Sequence, residues 1–358
     1  MGQVLSVSTH RVPWKPSAIQ ANIGYLFAAV VIASLLFSVF VACYGKNPLE
    51  VFTLVYIGGF GSGFAWQDTL ARAAPLILVG LAVAIPAQAG MVIIGGEGAL
   101  VLGGLAGAMV SLPFVGEPAL PMQLLILASG ALMGAGWFAI VGALRQYRAL
   151  NETISSLLLS YIGIAFFHHL TEGPFRDPAS LDKPSTYPID PSYMLPVIPG
   201  INVHIGLVIS IVLALLVFFI MRFTFWGFAL KVVGGSAKVA RMVGISVNRW
   251  VIGATAIAGA MAGLAGAIEV SAVQGTANSS LIAGYGTSGI LVAFLSRHHP
   301  LAIIPVACLI GGLQASGSLL QRRLDLPDAT ILVFQGLIFV CVLLADAVAQ
   351  KSNDAKGS

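Results

Sequence analysis

Long apolar stretches alternate with short polar breaks along nearly the whole chain. Ten apolar runs are legible, at about 23–43, 69–88, 90–111, 120–144, 153–170, 203–222, 250–271, 281–296, 300–320 and 329–347. A hydrocarbon core about 30 Å thick is crossed by roughly 20 helical residues, and a helix satisfies its own backbone polar groups where no water is present. The pattern therefore predicts an all-α, polytopic helical membrane protein with about ten transmembrane helices. The first run is too long for a signal-peptide core and no small-residue cleavage site follows it, so it reads as a retained anchor. Residues 49–66, LEVFTLVYIGGFGSGFAW, are apolar but interrupted by Gly58, Gly59, Gly61 and Gly63. They predict an interfacial or re-entrant piece rather than a full span. This divides the chain into an N-terminal tail (1–22), a membrane domain (23–347) and a disordered C-terminal tail (348–358).

Composition strengthens that reading. Of 358 residues, 58% are hydrophobic and 9% charged, with a mean hydropathy of +0.93. A soluble domain carries about 25% charged residues, so a soluble fold is excluded. Orientation follows from where Lys and Arg lie. With the N-terminus inside, twelve basic residues fall on the cytoplasmic side, among them Arg145, Arg148, Arg222, Lys231, Lys238, Arg241 and Arg249; five fall outside. Both termini are thus expected to be cytoplasmic (N-in, C-in). The proline-rich segment from Thr171 to Asn202, with four acids against two bases, reads as an ordered outer loop. The segment 223–249 has bases and no acid, which places it inside.

Catalytic constellations are missing from the sequence. Gly234-Gly235-Ser236-Ala237-Lys238 lacks phosphate-loop spacing, and no nucleophile-elbow motif occurs. Cys43, Cys308 and Cys341 are isolated, and the adjacent pairs His168-His169 and His298-His299 point to different helix faces. No enzyme activity, no metal site and no cofactor is expected in this chain. Gly103/Gly107, Gly130/Gly134 and Gly259/Gly263 stand four apart, a spacing that lets membrane helices approach closely.

Two acids remain inside apolar runs. Glu97 sits among Gly95, Gly96 and Gly98, a cluster that points to a helix break beside a cavity, because irregular backbone at depth is tolerated only when buried in protein or lining water. Glu269 lies at the outer end of its run, where it could snorkel to water. In the basic inner segment, Ser236 can open a short helix as N-cap and Gly244 can end it. Such a helix suits a groove on a cytoplasmic partner.

At these residues the chain resembles the permease subunits of bacterial ATP-binding cassette importers, in the branch serving ribose-type sugars, branched-chain amino acids and nucleosides. Ile94, Gly95, Glu97 and Gly98 keep the family's F-N-I-G-x-E-G-Q signature, with Ile93 and Ala99 in place of its Asn and Gln. NETISSLLLSYI is similar to the nucleoside-type N-E-x-I-x-x-L-x-L-x-Y-I through Asn151, Glu152, Ile154, Leu157, Leu159, Tyr161 and Ile162. GGSAKVARMVGI resembles the family's coupling segment at Ala240, Gly244 and Ile245, and GYGTSGILVAFLSRHHPLAI resembles a further stretch of the nucleoside-type branch.

The resemblance implies a permease pairing with a second permease, with an ATP-binding cassette ATPase inside and a substrate-binding protein outside, in the bacterial inner membrane. ATP and magnesium would belong to the ATPase, and no nucleic acid is involved. Nucleosides or related sugar or ribosyl compounds are the implied cargo. Gly95, Glu97, Gly98, Asn151 and Glu269 are the expected translocation-path or helix-break residues. Gly235, Ser236, Ala240, Arg241 and Gly244 are the expected coupling segment, with small Ala240 facing the ATPase groove. The competing reading is a proton-coupled secondary transporter using Glu97 or Glu269. Paired broken helices would mark it, and no second copy of the Gly-Glu-Gly break is evident.

Overall fold

The computed structural model describes residues 16–114, 116–180 and 183–355. Its helices are α1 (Pro16–Cys43), α2 (Pro48–Phe60), α3 (Gly63–Ala87), α4 (Gly96–Ser111), α5 (Ala119–Arg148), α6 (Glu152–Glu172), α7 (Gly206–Phe223), α8 (Phe225–Gly235), α9 (Ala237–Met242), α10 (Val247–Glu269), α11 (Tyr285–Leu295), α12 (Pro300–Leu324) and α13 (Ala329–Ala355). Among the described residues there is no strand, only two isolated bridges in loops. Residues 1–15 and 356–358 of the expected tails lie outside the described residues, while α13 runs on to Ala355.

Every expected apolar run has a helical counterpart, but the helices differ in reach. Six are long and apolar enough to cross a membrane: α3, α5, α6, α7, α10 with the π turn that extends it to Gln274, and α12. Taking α1 and α2 as one broken span makes seven. The runs expected at 90–111 and 281–296 are shorter as helices, because α4 and α11 begin only at Gly96 and Tyr285. The glycine-rich run 49–66 is likewise broken: α2 ends at Phe60 and Ser62 caps α3, accepting from the Ala65 N–H at 3.1 Å.

The described residues form two units, a smaller one from the two chain ends (up to Pro48 and from Val333) and a larger one of residues 49–332. In the smaller unit, Ala29, Ala33, Phe37 and Val41 recur every four residues and are buried, making one face of α1. Phe37 stacks on Phe334 of α13 with ring centroids 4.5 Å apart.

In the larger unit α3 is the central post. Residues 73–86 are buried without interruption, as expected of a helix that is apolar all round. It packs against α4, α7, α10, α11 and α12. Beside it α4, α5 and α10 meet through the glycines that the four-residue spacing singled out. A Cβ built on Gly134 of α5 would lie 2.9 Å from the Gly263 Cα of α10, so only glycine permits this approach.

Contacts also sort the loops onto two ends. At one end, the Tyr193 hydroxyl accepts from the Glu117 N–H at 3.0 Å, and the Leu195 and Ile189 N–H groups donate to the Ser271 and Gly275 carbonyls, each at 2.8 Å. The proline-rich segment is thus tied to the end of α10 and to the α4–α5 loop. At the opposite end, Arg145 pairs with Glu152 at 3.0 Å across the α5–α6 turn, and Gly234 abuts the backbone at Gln88–Gly90.

Candidate functional site

Two helices of the larger unit begin in mid-protein rather than at a surface. After α3 the chain runs non-helically to Gly95 and then starts α4. After the π turn it leaves helix again and restarts as α11 behind Gly284, whose φ of +76 is a backbone state that glycine adopts freely. Glu97, in the first turn of α4, bridges the two starts. Its Oε1 accepts from the Gly284 N–H at 2.9 Å, and its Oε2 accepts from the Gly286 N–H. The first N–H groups of a helix have no partner within it and carry the positive end of its dipole. A carboxylate placed there answers both needs. This is why a charge and several glycines stand in an otherwise apolar run: Glu97 is 8% exposed and accepts both its donors at the start of α11.

The break before α4 is satisfied differently, by α6. Thr153 Oγ1 donates to the Val92 carbonyl at 2.8 Å, the Ile94 N–H donates to Ser156 Oγ at 3.2 Å, and the Gly98 N–H donates to Ser160 Oγ at 2.9 Å. Thr153, Ser156 and Ser160 fall on one face of α6 by their spacing. Gly98 lets the helices close to contact, since a Cβ there would sit 2.6 Å from the Ser160 Cα. Sequence reasoning missed these hydroxyls, although a polar stripe at spacings of three and four in an apolar helix was a readable signal.

Beside this bridge lies a cavity of about 540 Å³, within the 300–1,000 Å³ range of small-molecule sites. Ile94, Glu97, Ser160 and Gly284 line it near the breaks, Arg72 and Gln314 come from α3 and α12, and Leu157, Tyr161 and Ile164 from α6. Gln314 Nε2 donates to Ser288 Oγ at 2.9 Å, which fixes the amide at the wall. The lining mixes hydrogen-bonding groups with broad apolar surface, which suits an amphiphilic organic solute better than a bare ion.

A second cavity of about 240 Å³ adjoins it through Arg72, which lines both. Glu269, Gln274, Asp68 and Tyr285 line it. Arg72 Nε meets Asp68 Oδ1 at 3.2 Å, and Gln274 Nε2 donates to Glu269 Oε1 at 3.4 Å. Glu269 does not snorkel to water: it is 5% exposed, because the π turn after it folds Gln274 back over the carboxylate. Asn151 lines neither cavity. It caps α6, accepting from the Thr153 and Ile154 N–H groups at 2.9 and 3.1 Å. Among the described residues no group of three or more His, Cys, Asp or Glu could hold a metal ion.

The basic segment forms α8 up to Gly235, then the short α9. Ser236 Oγ accepts from the Val239 N–H at 3.4 Å, and Gly244 has φ of +80. One expectation needs correction here. Ala240 does not face outward: it is fully buried where α9 packs on α8 and α10, so it shapes the segment from inside. The outward face carries Lys238, Val239, Arg241, Met242 and Val243, with Met242 72% exposed.

A family description for the permease component of branched-chain amino acid transport systems matches residues 66–343. The chain belongs to this permease family. It is 28% identical to a glucose ABC transporter permease protein of Haloferax volcanii over 86% of each chain. It is 26% identical to a guanosine ABC transporter permease protein of Bacillus subtilis, over 85% of this chain and 88% of that one. It is 27% identical to a nucleoside ABC transporter permease protein of Lactococcus lactis, over 91% and 94%. The matched region contains both helix breaks, both cavities and the α8–α9 segment. The permease is accordingly a multi-pass transport component and not an enzyme.

Proposed function

We propose that this permease is the membrane subunit of an ATP-driven importer and forms the translocation path for a nucleoside or related ribosyl or sugar compound. It sits in the bacterial cytoplasmic membrane with both termini inside and ten membrane-embedded helices. The 540 Å³ cavity at the meeting point of α4, α6 and α11 is the observation that carries this reading. Its polar groups can hydrogen-bond ribose hydroxyls or base edges, and its apolar walls can cover a ring face. The relatives named for guanosine, nucleosides and glucose support the cargo class.

In this reading a binding protein delivers solute at the end that carries the proline-rich loop. A second permease, a copy or a paralogue, completes the path. An ATP-binding cassette ATPase, holding ATP and magnesium, docks at the opposite end against the exposed face of α9. Val239, Met242 and Val243 give that face apolar anchors, and Lys238 and Arg241 give it a charged rim. A proton-coupled mechanism finds less support, since both Glu97 oxygens are already engaged by backbone donors.

The test is uptake by the reconstituted complex, with labelled guanosine and glucose offered separately. Parent complexes are expected to accumulate one of them only with ATP and the binding protein. Met242→Glu, which leaves the buried Ala240 packing alone, should abolish ATPase association or solute-stimulated hydrolysis while the permease still inserts. Uptake without ATP that follows a proton gradient would overturn the assignment.

A further inference from the structure

At the end opposite the proline-rich loop lies a third cavity, of about 190 Å³, whose charge is uniform. Arg222, Lys231, Arg297 and His299 line it, together with Phe218 and Met221, and no carboxylate lines it among the described residues. Arg222 stands in the last turn of α7. That helix has 18 residues, or ~27 Å at 1.5 Å per residue, against a hydrocarbon thickness of about 30 Å. With its other end at one water boundary, α7 is long enough to bring Arg222 to the depth of the opposite headgroups.

Three further observations distinguish this site from a merely basic loop. Among the described residues Arg222 has no acidic partner, and Lys231 Nζ donates to the Met221 carbonyl at 3.5 Å. Arg297 and His298 both adopt positive φ, +50 and +58. Two successive non-glycine residues in that region are backbone strain of the kind that clusters at ligand clamps, and both residues line the cavity. The long helix α12 also begins at this wall, with His299 as its N-cap residue and Pro300 at its first position, so its positive dipole end adds to the field. Phe218, tilted against His299 at 5.6 Å between centroids, closes the apolar side along α7.

We infer that this cavity binds a phosphate-bearing anion, and that its apolar side along α7 suits it to the headgroup of an anionic phospholipid. Guanidinium and ammonium groups would hold the phosphate oxygens, and an acyl chain would lie along α7 past Phe218. Basic pockets between membrane helices serve this purpose generally.

The experiment uses the full permease with its partner ATPase in nanodiscs, measuring co-purified lipid by native mass spectrometry. Parent complexes should retain phosphatidylglycerol over phosphatidylcholine. R222Q combined with K231Q should lower that retention about 25-fold, from two cations each contributing on the order of fivefold. R148Q combined with R249Q removes the same charge outside the cavity and should leave retention unchanged. R222K serves if the double variant inserts poorly, with retention expected between the two. Inorganic phosphate competes in a separate arm: if it displaces the lipid at millimolar concentration, the anion chemistry stands and the source is soluble. Equal loss in both double variants, or no loss in either, would overturn the site.

Discussion

The two helix breaks of this permease solve the same problem by opposite means. Before α4 the freed backbone is held by hydroxyls of the neighbouring α6, at Ser156 and Ser160, from within the membrane domain. Before α11 it is held by the Glu97 carboxylate and by the surface loop: the Thr186 and Ala277 backbones pair at 3.0 Å, and Thr186 Oγ1 accepts from the Ala277 N–H at 3.0 Å. The first break depends on neutral contacts between packed helices. The second depends on one charge and on the proline-rich segment at one end of the molecule. A change in the loop is therefore expected to reach α11 and the cavity wall, whereas the α4 start stays anchored to α6.

Removing the charge should break this arrangement most severely. Glu97→Leu leaves the Gly284 and Gly286 N–H groups without acceptors, each costing ~1–3 kcal/mol when buried, for roughly 2–6 kcal/mol together. Expected are a large drop in thermal stability of the purified protein and loss of uptake. Because both oxygens accept, Glu97→Gln can keep one bond and must turn its NH₂ toward the other donor. Its stability should fall between parent and Leu, with partial transport retained at every pH. A Gln variant as damaged as Leu would show that the charge itself, rather than hydrogen bonding, holds α11.

The α4 break should yield less. Ser156→Ala with Ser160→Ala removes two neutral acceptors at about 1 kcal/mol each. Hydrogen exchange should rise at Ile94 and Gly98 and stay unchanged at Gly284 and Gly286. Exchange rising equally at both breaks would show that the two are coupled rather than separately held.

Thr186→Val keeps side-chain volume and removes one hydroxyl, again about 1 kcal/mol. Faster exchange is expected at Ala277 and through 275–284, while 88–98 is untouched. If the α11 start is insensitive, the loop does not communicate with it.

The smallest effect concerns pH. Asp190, at the loop surface, accepts from the Ser192 N–H and hydroxyl, and these two bonds hold its carboxyl below the usual aspartate range. A depressed carboxylate pKa contributes order that is fully present above the ordinary value near 3.9 and is lost as pH falls through the lower native one. The Asp190–Met194 turn should therefore stay protected as pH drops to about 4 and open only below it, read by limited proteolysis. Asp190→Asn should remove that pH dependence and leave both helix breaks intact.

The chain by itself determined which segments are helical and apolar, and the reason is thermodynamic. Transfer into lipid and into a protein core both select apolar side chains, so residues 73–86 or 207–221 announce themselves by hydropathy alone. Close-packing glycines such as Gly134 and Gly263 were equally visible, because membrane helices approach only where side chains are absent. Caps are local too: Ser236 opens α9 and Gly244 follows it with positive φ, as their chemistry predicts. The glycines marked the break before α4, but tertiary structure alone decided where α11 starts and how the freed backbone at both breaks is satisfied. Hydropathy does not distinguish MVIIG as extended chain from MVIIG as helix, since the difference lies in where backbone N–H groups find partners. Those partners are remote: Ser160 is 62 residues from Gly98, and Glu97 is 187 residues from Gly284. The same remoteness hid the burial of Glu269, which needs the π turn and α11, and the inward face of Ala240, which needs α10 behind it. Sequence reports what each residue tolerates; only the assembled helices determine which group answers it.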